Sequence, residues 1–446
     1  MCNKPNTAHA LSAALAVMLV LQTGSSVAGE PSTSPAGAPA TPVAPLAVKD
    51  PDLSESLGDR AIAANPSLSA SRARIGALRQ QITLSGAWMD PTFSAEYSNV
   101  PIDAPVLGRH PMSGVQLTLR QTIPWPGKLA LREEEAKSRV HQEQLTLAEQ
   151  KVQLRASVRH AYYRLALARQ MRAVTERHLK LTRDFLEVVR VKNEAGMAAQ
   201  HEYLRLRVLA DKLSDDLSSF DEDAQSLTSV LNAALHRPAE VPIATPAETP
   251  VVLPTSNAGA LAEQAARQRP LLQRATAEAE SYRASARRAA RDGYPDITLW
   301  AGYRLRTPAG DDMGTDFLSL GVSLPLPLFY DARSGSERRK NEQLVQAALE
   351  TRAADLDAIR GNLGKTIAAW RRAAEQAHTY RAQLTPEARL ALEATFAAYQ
   401  VGRADFSALF QAELELLNFE RTTLMAESRA AEAQVDVEAL VGTGAR

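Results

Sequence analysis

The segments Asn65-Pro66-Ser67-Leu68 and Arg269-Pro270-Leu271-Leu272 lie 204 residues apart, and the similarity between them decides the fold. Two further pairs of segments keep nearly the same separation, at 204 and 206 residues: Asp90-Pro91-Thr92-Phe93 with Tyr294-Pro295-Asp296-Ile297, and Glu194-Ala195-Gly196-Met197 with Gln400-Val401-Gly402-Arg403. Self-similarity at one period indicates a repeated architecture. We therefore predict an internal two-fold repeat, in which each copy contains a helix, two short strands and a much longer helix.

Each copy contains two stretches in which apolar and polar residues alternate, as they do in a strand with two different faces. The predicted strands are 92–99 and 113–122 in the first copy, and 296–305 and 317–324 in the second. About ten residues is the length of a tilted membrane-spanning strand, whose two faces separate lipid from water. Because four strands cannot close without an edge, we predict that three chains share one 12-stranded barrel.

The first copy also predicts a long helical hairpin. No proline lies between Pro126 and Pro238, and Gly196 lies within this segment. The pattern predicts a helix over 128–194, about 100 Å long at 1.5 Å per residue. A turn at Gly196 would then lead into a return helix over 198–236. A compact globular domain cannot contain a helix of this length, so the chain is predicted to be mainly α with a membrane β-barrel.

The second copy predicts a second hairpin with its tip at Gly402. Its descending helix should begin near Arg333 and be interrupted at Thr385-Pro386-Glu387, which is typical of an N-cap followed by proline at the first helical position. Five apolar residues are predicted to line the return helix: Phe406, Phe410, Leu414, Leu417 and Leu424.

Composition divides the rest of the chain. The predicted segments are a signal peptide at 1–28, a Pro/Ala-rich leader at 29–50, a first repeat at 51–237, a Pro-rich linker at 238–258 and a second repeat at 259–446. Lys4, an apolar run and the small residues Ser26-Val27-Ala28 are typical of secretory signals. The only cysteine, Cys2, precedes the apolar run. We therefore predict an exported protein without disulfide bonds or a lipid-modified cysteine.

Charge and motifs give no indication of an enzyme. The formal net charge is zero, so no excess of basic groups indicates nucleic acid as a partner. Gly364-Lys365-Thr366 resembles the end of a phosphate-binding loop, but Ile359 stands where that motif needs glycine. The histidines lack zinc spacing. His201, Met89, Met112 and Met313 are interpreted as surface or gap-filling residues rather than metal ligands. No cofactor or metal is predicted.

Taken together, these features resemble the TolC family of outer-membrane efflux proteins. The resemblance rests on the repeat, on the tip glycines Gly196 and Gly402, and on two motifs: Gln121-Thr122-Ile123-Pro124-Trp125-Pro126-Gly127-Lys128-Leu129 and Ser323-Leu324-Pro325-Leu326-Pro327-Leu328-Phe329. It implies a homotrimer in the outer membrane of a Gram-negative bacterium, in contact with its lipid. Twelve helices would form a tunnel in the periplasm and receive cargo from an inner-membrane pump through a membrane-fusion adaptor.

Within the family, Pro124-Trp125-Pro126-Gly127-Lys128-Leu129 and Val100-Pro101-Ile102-Asp103 are most similar to members paired with heavy-metal pumps of the resistance-nodulation-division class. Many of those members carry an acylated cysteine after the signal, which this chain lacks. Two alternatives stay open at this point. The duct could serve drug efflux or type I protein secretion, or the chain could be a periplasmic coiled-coil adaptor, a protein of another class.

The hairpin tips carry the predicted site residues. Small or apolar residues flank a glycine in each tip, which suits docking of the adaptor: Ala195, Gly196, Met197, Val401, Gly402 and Arg403. The resemblance places the periplasmic gate at Glu202 and Tyr399. Ala408 and Gln411 stand where carboxylates narrow the pore in well-known members, so the latch is predicted to use Arg205, Arg403 or Asp405, with Gln411 nearby.

Overall fold

The computed structural model describes residues 53–103 and 106–443. The predicted signal peptide at 1–28, Cys2 within it, and the predicted leader at 29–50 lie outside the described residues. The first half contains α1 (Leu53–Ala64), α2 (Pro66–Gly86), β1 (Thr92–Ser98), β2 (Gly114–Ile123), α3 (Lys128–Glu194) and α4 (Gln200–Ala234). The second half contains α5 (Ala258–Gln268), α6 (Pro270–Asp292), β3 (Ile297–Arg306), β4 (Phe317–Ser323), α7 (Ser336–Thr379), α8 (Thr385–Gln400) and α9 (Phe406–Val441).

These elements follow one plan twice, and the predicted fold class is confirmed: the described chain is mainly helical, with four antiparallel strands. Pro66 and Pro270 each occupy the first turn of the second helix of their copy, where proline costs no hydrogen bond. Asn65, which precedes Pro66, caps that helix by accepting a hydrogen bond from the backbone N–H of Ser67. The repeated proline therefore fixes the start of equivalent helices.

The four strands form one antiparallel sheet in the order β1-β2-β3-β4. The register keeps like residues on one face: Leu119 lies between Phe93 and Ala301, whereas Thr118 lies between Ser94 and Gly302. One face is therefore apolar and the other polar, as the alternation predicts. Within one chain, β1 and β4 each pair on one side only.

The long helix α3, with 67 residues, is the central element of the helical part. It packs against α2 and α6 near the sheet, and against α4 and α9 toward the tips. The segment between α4 and α5 crosses this layer, where Gln170 of α3 donates a hydrogen bond to the carbonyl oxygen of Ala247 at 3.1 Å. Trp370 of α7 donates to the carbonyl oxygen of Val252 at 2.7 Å. The linker is thus fastened to both hairpins.

The α-helix is interrupted just before Thr385-Pro386-Glu387, but the N-cap predicted at Thr385 is wrong. A π-helical turn at Tyr380–Leu384 joins α7 to α8, and Thr385 keeps helical dihedral angles of −68° and −44°. Proline has no N–H group, and its ring clashes with the carbonyl of the preceding turn. A wider π turn just before Pro386 accommodates both effects, so the helix continues without a new N-cap.

Among the described residues, none of the helices combines the length and the apolar character that crossing a membrane would require.

Candidate functional site

The two hairpin tips have the same backbone geometry. Gly196 and Gly402 both have φ of +74°, in the left-handed region that favours glycine. The N–H of Gly196 bonds to the carbonyl of Asn193 at 2.9 Å, and the N–H of Met197 bonds to that of Lys192 at 2.8 Å. Gly402 and the residue after it repeat this pair of bonds at 3.1 Å and 2.8 Å. Both helices therefore end in a Schellman motif, and the tips are structural equivalents.

The predicted docking residues of the tips are all exposed: Ala195, Gly196, Met197, Val401, Gly402 and Arg403. A Cβ added at either glycine would meet no atom beyond its chain neighbours within 4 Å. Met197 and Val401 are 73% and 69% exposed, so each tip presents a large apolar side chain beside its glycine. The tips therefore offer a small surface with room for a partner.

Tyr399 connects the two hairpins just above the tips. Its hydroxyl donates a hydrogen bond to Oε2 of Glu202 at 3.2 Å. Lys192 Nζ donates to the backbone carbonyl of Tyr399 and lies 4.3 Å from the centre of its ring. Lys192 and Glu202 come from the two legs of the first hairpin, so together they hold a residue of the second hairpin from both sides.

Burial, together with the negative charge of Glu202, raises the pKa of Tyr399 to about 12. The hydroxyl therefore stays protonated and remains a donor to Glu202 throughout the physiological range. The ring also contacts Phe406 edge-on, at 6.5 Å between centroids. Tyr399 is thus anchored by apolar contacts as well as by its two polar partners.

The other predicted gate residues are not brought together with Glu202 within one chain. Arg205, Arg403 and Gln411 are exposed, and their side chains make no hydrogen bond or ion pair within the described residues. Asp405 has a local role, because its carboxylate caps α9 by accepting a bond from the N–H of Ala408 at 2.7 Å. Within one chain, the polar contact between the two hairpins at this level therefore involves Lys192, Tyr399 and Glu202.

A buried network of charges joins the hairpins further from the tips. His178 of α3 lies between Glu413, at 2.7 Å, and Glu420, at 3.3 Å, both on α9. Glu420 also accepts bonds from Arg177 at 2.9 Å and from Arg389 at 2.6 Å. At 1.5 Å per residue, His178 lies about 27 Å along α3 from Gly196. Three helices therefore meet at this network.

The network keeps its charges because its hydrogen bonds outweigh burial. Burial by itself would lower the pKa of His178, but the bonds to Glu413 and Glu420 raise it to about 9. Burial by itself would raise the pKa of Glu420, but hydrogen bonds from His178, Arg389 and Arg177 lower it to about 2. At neutral pH His178 is therefore an imidazolium and Glu420 a carboxylate.

The sequence patterns missed these residues in part. Three buried glutamates, Glu413, Glu420 and Glu427, lie seven residues apart on the face of α9 that packs against the rest of the chain. Leu414, predicted to line this helix, is instead exposed. A heptad of glutamates beside the apolar positions is a signal for buried ion pairs. Lys192 was also missed, since a single lysine near a helix end gives no such pattern.

Within the described residues, no group of three or more His, Cys, Asp or Glu side chains is arranged to hold a metal ion. In the buried histidine network each glutamate faces a basic side chain of another helix, His178, Arg177 or Arg389.

Comparison with known proteins gives one family. The model of the family described as "Outer membrane efflux protein" matches residues 57–234 and 261–443, one match for each repeat. No curated protein sequence matches the chain.

Solved structures with the same fold include OprN, VceC and CusC. The outer-membrane channel OprN has a TM-score of 0.73 at 18% identity, over 88% of this chain and 90% of that one. VceC of Vibrio cholerae has a TM-score of 0.71 at 19% identity, over 87% and 96%. CusC has a TM-score of 0.72 at 15% identity, over 87% and 92%. At these identities the likeness shows a shared fold.

Proposed function

Because the chain belongs to the outer membrane efflux protein family, and is thus the outer-membrane channel of a tripartite efflux system, we propose that it exports heavy-metal cations. The cations would come from a resistance-nodulation-division pump through a periplasmic adaptor. Family membership confirms the predicted location, an outer-membrane channel with helices extending into the periplasm. It also confirms that the chain is not an enzyme, and it decides against the alternative of an adaptor.

The architecture supports a passive duct. The sheet has an apolar and a polar face and two unpaired edges, so one chain has the wall of a pore but cannot close it. Channels of this family form trimers that work with an adaptor and an inner-membrane pump. Three copies of the four strands would close a 12-stranded barrel with its polar faces inward.

The proposed cargo rests on the residues that follow the second strand and those of the first external loop. Pro124-Trp125-Pro126-Gly127-Lys128-Leu129 and Val100-Pro101-Ile102-Asp103 are the segments most similar to the members that serve metal pumps. In the structure, the first of these segments connects the sheet to α3, and Gly127 takes a φ of +88° there. The segment that resembles the metal subclass is therefore the one that joins the sheet to the long helix. Growth assays of a deletion strain test the cargo.

We expect deletion of the gene to sensitise cells to divalent heavy-metal cations by at least tenfold in inhibitory concentration, with drug resistance unchanged. The physical reason is that a missing duct stops the export of the pump's cargo alone. Growth of the deletion strain with and without a plasmid copy, across a panel of metals and drugs, measures this. Sensitivity to drugs alone, or loss of a secreted polypeptide, would assign the duct to the corresponding alternative.

The exposed tips support a role in docking the adaptor. They are the ends of the long hairpins, and they combine a glycine that no side chain crowds with an apolar neighbour, Met197 or Val401. A glycine in an exposed turn lets a partner approach the backbone closely, and the apolar side chain beside it would be buried in the contact. The docking surface would therefore be formed by residues 195–197 and 401–403.

The contacts of Tyr399 support a gate in which the first hairpin holds the second. Closing a tunnel requires neighbouring hairpins to stay side by side at their tips, and the bonds of Lys192 and Glu202 with Tyr399 would provide that restraint. Arg205 and Arg403 are exposed and free to reach a neighbouring protomer in the trimer. The gate would therefore combine a latch within each chain with contacts between chains.

We expect Tyr399→Phe combined with Glu202→Ala to raise single-channel conductance in planar bilayers. Each lost hydrogen bond contributes about 1 kcal/mol, so three copies weaken closure by about 3 kcal/mol in total. That is enough to turn a closed state populated at about 99% into a mixture of states.

Asp211→Ala is the matched control for this gate variant. It removes a negative charge from the same helix, α4, at an exposed position without a hydrogen bond or ion pair in the described chain. Its conductance should equal that of the wild type. Equal conductance of the gate variant and this control at low salt would show that Tyr399 and Glu202 do not hold the gate.

A further inference from the structure

The two repeats of one chain meet at a junction just below the sheet. The ring of Trp125 stacks on Tyr294 at 5.4 Å between centroids, with 19° between the ring planes. Asp296 accepts a hydrogen bond from the backbone N–H of Trp125 at 2.9 Å and forms an ion pair with Lys128 at 2.8 Å. We call the residues that follow the second strand of a repeat its exit segment, here 124–128, and those that precede the first strand its entry segment, here 294–296. The exit segment of the first repeat is thus fastened to the entry segment of the second.

The repeat gives each of these residues a counterpart at the outer edges of the chain. On the exit side the offset is 201 residues, because Pro124 and Pro126 correspond to Pro325 and Pro327. This offset places Leu326 at the position of Trp125, and Phe329 at the position of Lys128. On the entry side the offset is 204 residues. Asp90 therefore stands at the position of Tyr294, and Thr92 at that of Asp296.

These counterparts do not meet within one chain, because β1 and β4 are the opposite edges of the sheet. Their helices are at opposite edges too: α2 packs on α3, α3 on α6, and α6 on α7. The ends of β1 and β4 that bear these segments lie at the same end of the sheet, since Thr92 pairs with Arg120 and Ser323 pairs with Thr298. The two edges are therefore placed to meet across a boundary between chains.

Both edge segments expose large apolar side chains at this level. Leu326, Leu328 and Phe329 are between 71% and 79% exposed, and Trp88 and Met89 are 60% and 56% exposed. Tyr330, the next residue of the exit segment, is by contrast fixed within the chain, because a Cβ at Gly293 would lie 1.8 Å from its ring. The exit segment is thus anchored on one side and leaves its apolar residues uncovered.

We infer that an apolar seam joins neighbouring protomers, in which Leu326, Leu328 and Phe329 of one protomer pack against Trp88 and Met89 of the next. Inside each chain, the equivalent position is occupied by the stack of Trp125 on Tyr294 and the ion pair of Lys128 with Asp296. The inference rests on the proposed trimer and names the residues that join its subunits. Lys128 and Asp296 have uncharged counterparts, Phe329 and Thr92, so the contact between chains has no equivalent of that ion pair. Burial of apolar surface would hold the seam, and high salt would not weaken it.

Cross-linking of paired cysteines tests the seam in the full-length protein in outer membranes. In a Cys2→Ser background, Leu326→Cys and Asp90→Cys occupy the positions that Trp125 and Tyr294 hold within the chain. A short bismaleimide should convert most of this variant into covalent dimers and trimers on a denaturing gel, equally at low and high salt. Leu326→Cys alone should stay monomeric on the gel, as should Leu326→Cys with Met313→Cys, which lies in the loop at the other end of β4.

The outcomes separate the seam from the trimer. A sample that runs as a trimer without heating but shows no cross-link overturns the seam and leaves the proposed function standing. If a lipid-soluble thiol reagent then labels Leu326→Cys, the exposed residues face lipid. The absence of any trimer in unheated samples overturns the proposed assembly itself. Equal cross-linking of the Met313 pair would show random collision and would also overturn the seam.

Discussion

A tryptophan in place of Gly402 or Gly196 is expected to reduce metal export to the level of the deletion strain, with normal amounts of trimer in the outer membrane. A Cβ added at either glycine would meet no atom beyond its chain neighbours within 4 Å, so an indole would start from open space at the tip. It would occupy the exposed turn that the adaptor is proposed to contact. Metal sensitivity and quantitative immunoblots of unheated membranes measure the two effects.

Alanine at the same positions separates bulk from backbone strain. Both glycines have φ of +74°, which costs any other residue roughly 1–2 kcal/mol. Gly402→Ala and Gly196→Ala carry this strain without the bulk of an indole, so they should export almost normally. Normal export by both tryptophan variants would show that docking lies elsewhere on the hairpins, and equal loss with alanine would assign the effect to the turn.

Much of the fold could be predicted from the sequence because local signals carry it. The absence of proline between Pro126 and Pro238 allows one helix of 67 residues, and glycine is the residue that a Schellman turn favours at positions 196 and 402. Alternating residues in β2 and β3 define two faces that survive in the observed register. These features depend on the chain within a few residues, which is the range that a sequence pattern describes.

The π turn at Tyr380–Leu384 could not be predicted in the same way. Proline after a polar residue favours an N-cap in isolation, and the sequence around Thr385 satisfies that rule. In the structure α9 packs along α8, and the side-chain hydroxyl of Thr385 lies 3.3 Å from that of Thr423. The backbone stays helical at Thr385 beside this contact, so the helical packing here outweighs the local preference for an N-cap.

The sequence predicted where the candidate site lies, at the hairpin tips, but not all of the residues that contact each other there. Glu202 and Tyr399 came from the resemblance, and the structure shows a hydrogen bond between them. The predicted arginines are exposed, whereas Lys192, which no pattern identified, contacts Tyr399. Contacts between the hairpins depend on how α3 and α9 pack side by side. Neither segment's own sequence pattern predicts this packing.

The largest effect on stability is expected from His178→Leu. Glu413 is fully buried, and His178 is the partner of one of its carboxylate oxygens, while the other oxygen makes no hydrogen bond in the described chain. Removing the imidazolium leaves this charge buried without a partner, which costs about 3–5 kcal/mol. The midpoint of thermal unfolding, followed by circular dichroism of the detergent-solubilised protein at pH 6, should fall by several degrees.

The double variant His178→Leu with Glu413→Leu is the matched control, because it removes both charges and replaces them with apolar side chains. Replacing a buried pair in this way is often neutral, and Glu420 keeps Arg177 and Arg389 as partners. The double variant should therefore recover most of the lost stability. A double variant no more stable than His178→Leu would mean that packing, not charge, determines the effect.

The same variants predict a pH dependence whose sign follows from the raised pKa of His178. Its pKa rises from 6.5 in the unfolded chain to about 9 in the folded protein. The resulting stabilisation is fully present below pH 6.5 and is lost as pH rises through 9. The difference in unfolding midpoint between wild type and His178→Leu should therefore be constant between pH 5 and 6.5, and should shrink steadily up to pH 9.5.

His160, whose pKa is also raised to about 9, is present in both proteins and cancels from the difference. A difference that stays constant from pH 5 to 9.5 would show that the pKa of His178 does not change on folding, and that its bonds to Glu413 and Glu420 do not stabilise the imidazolium.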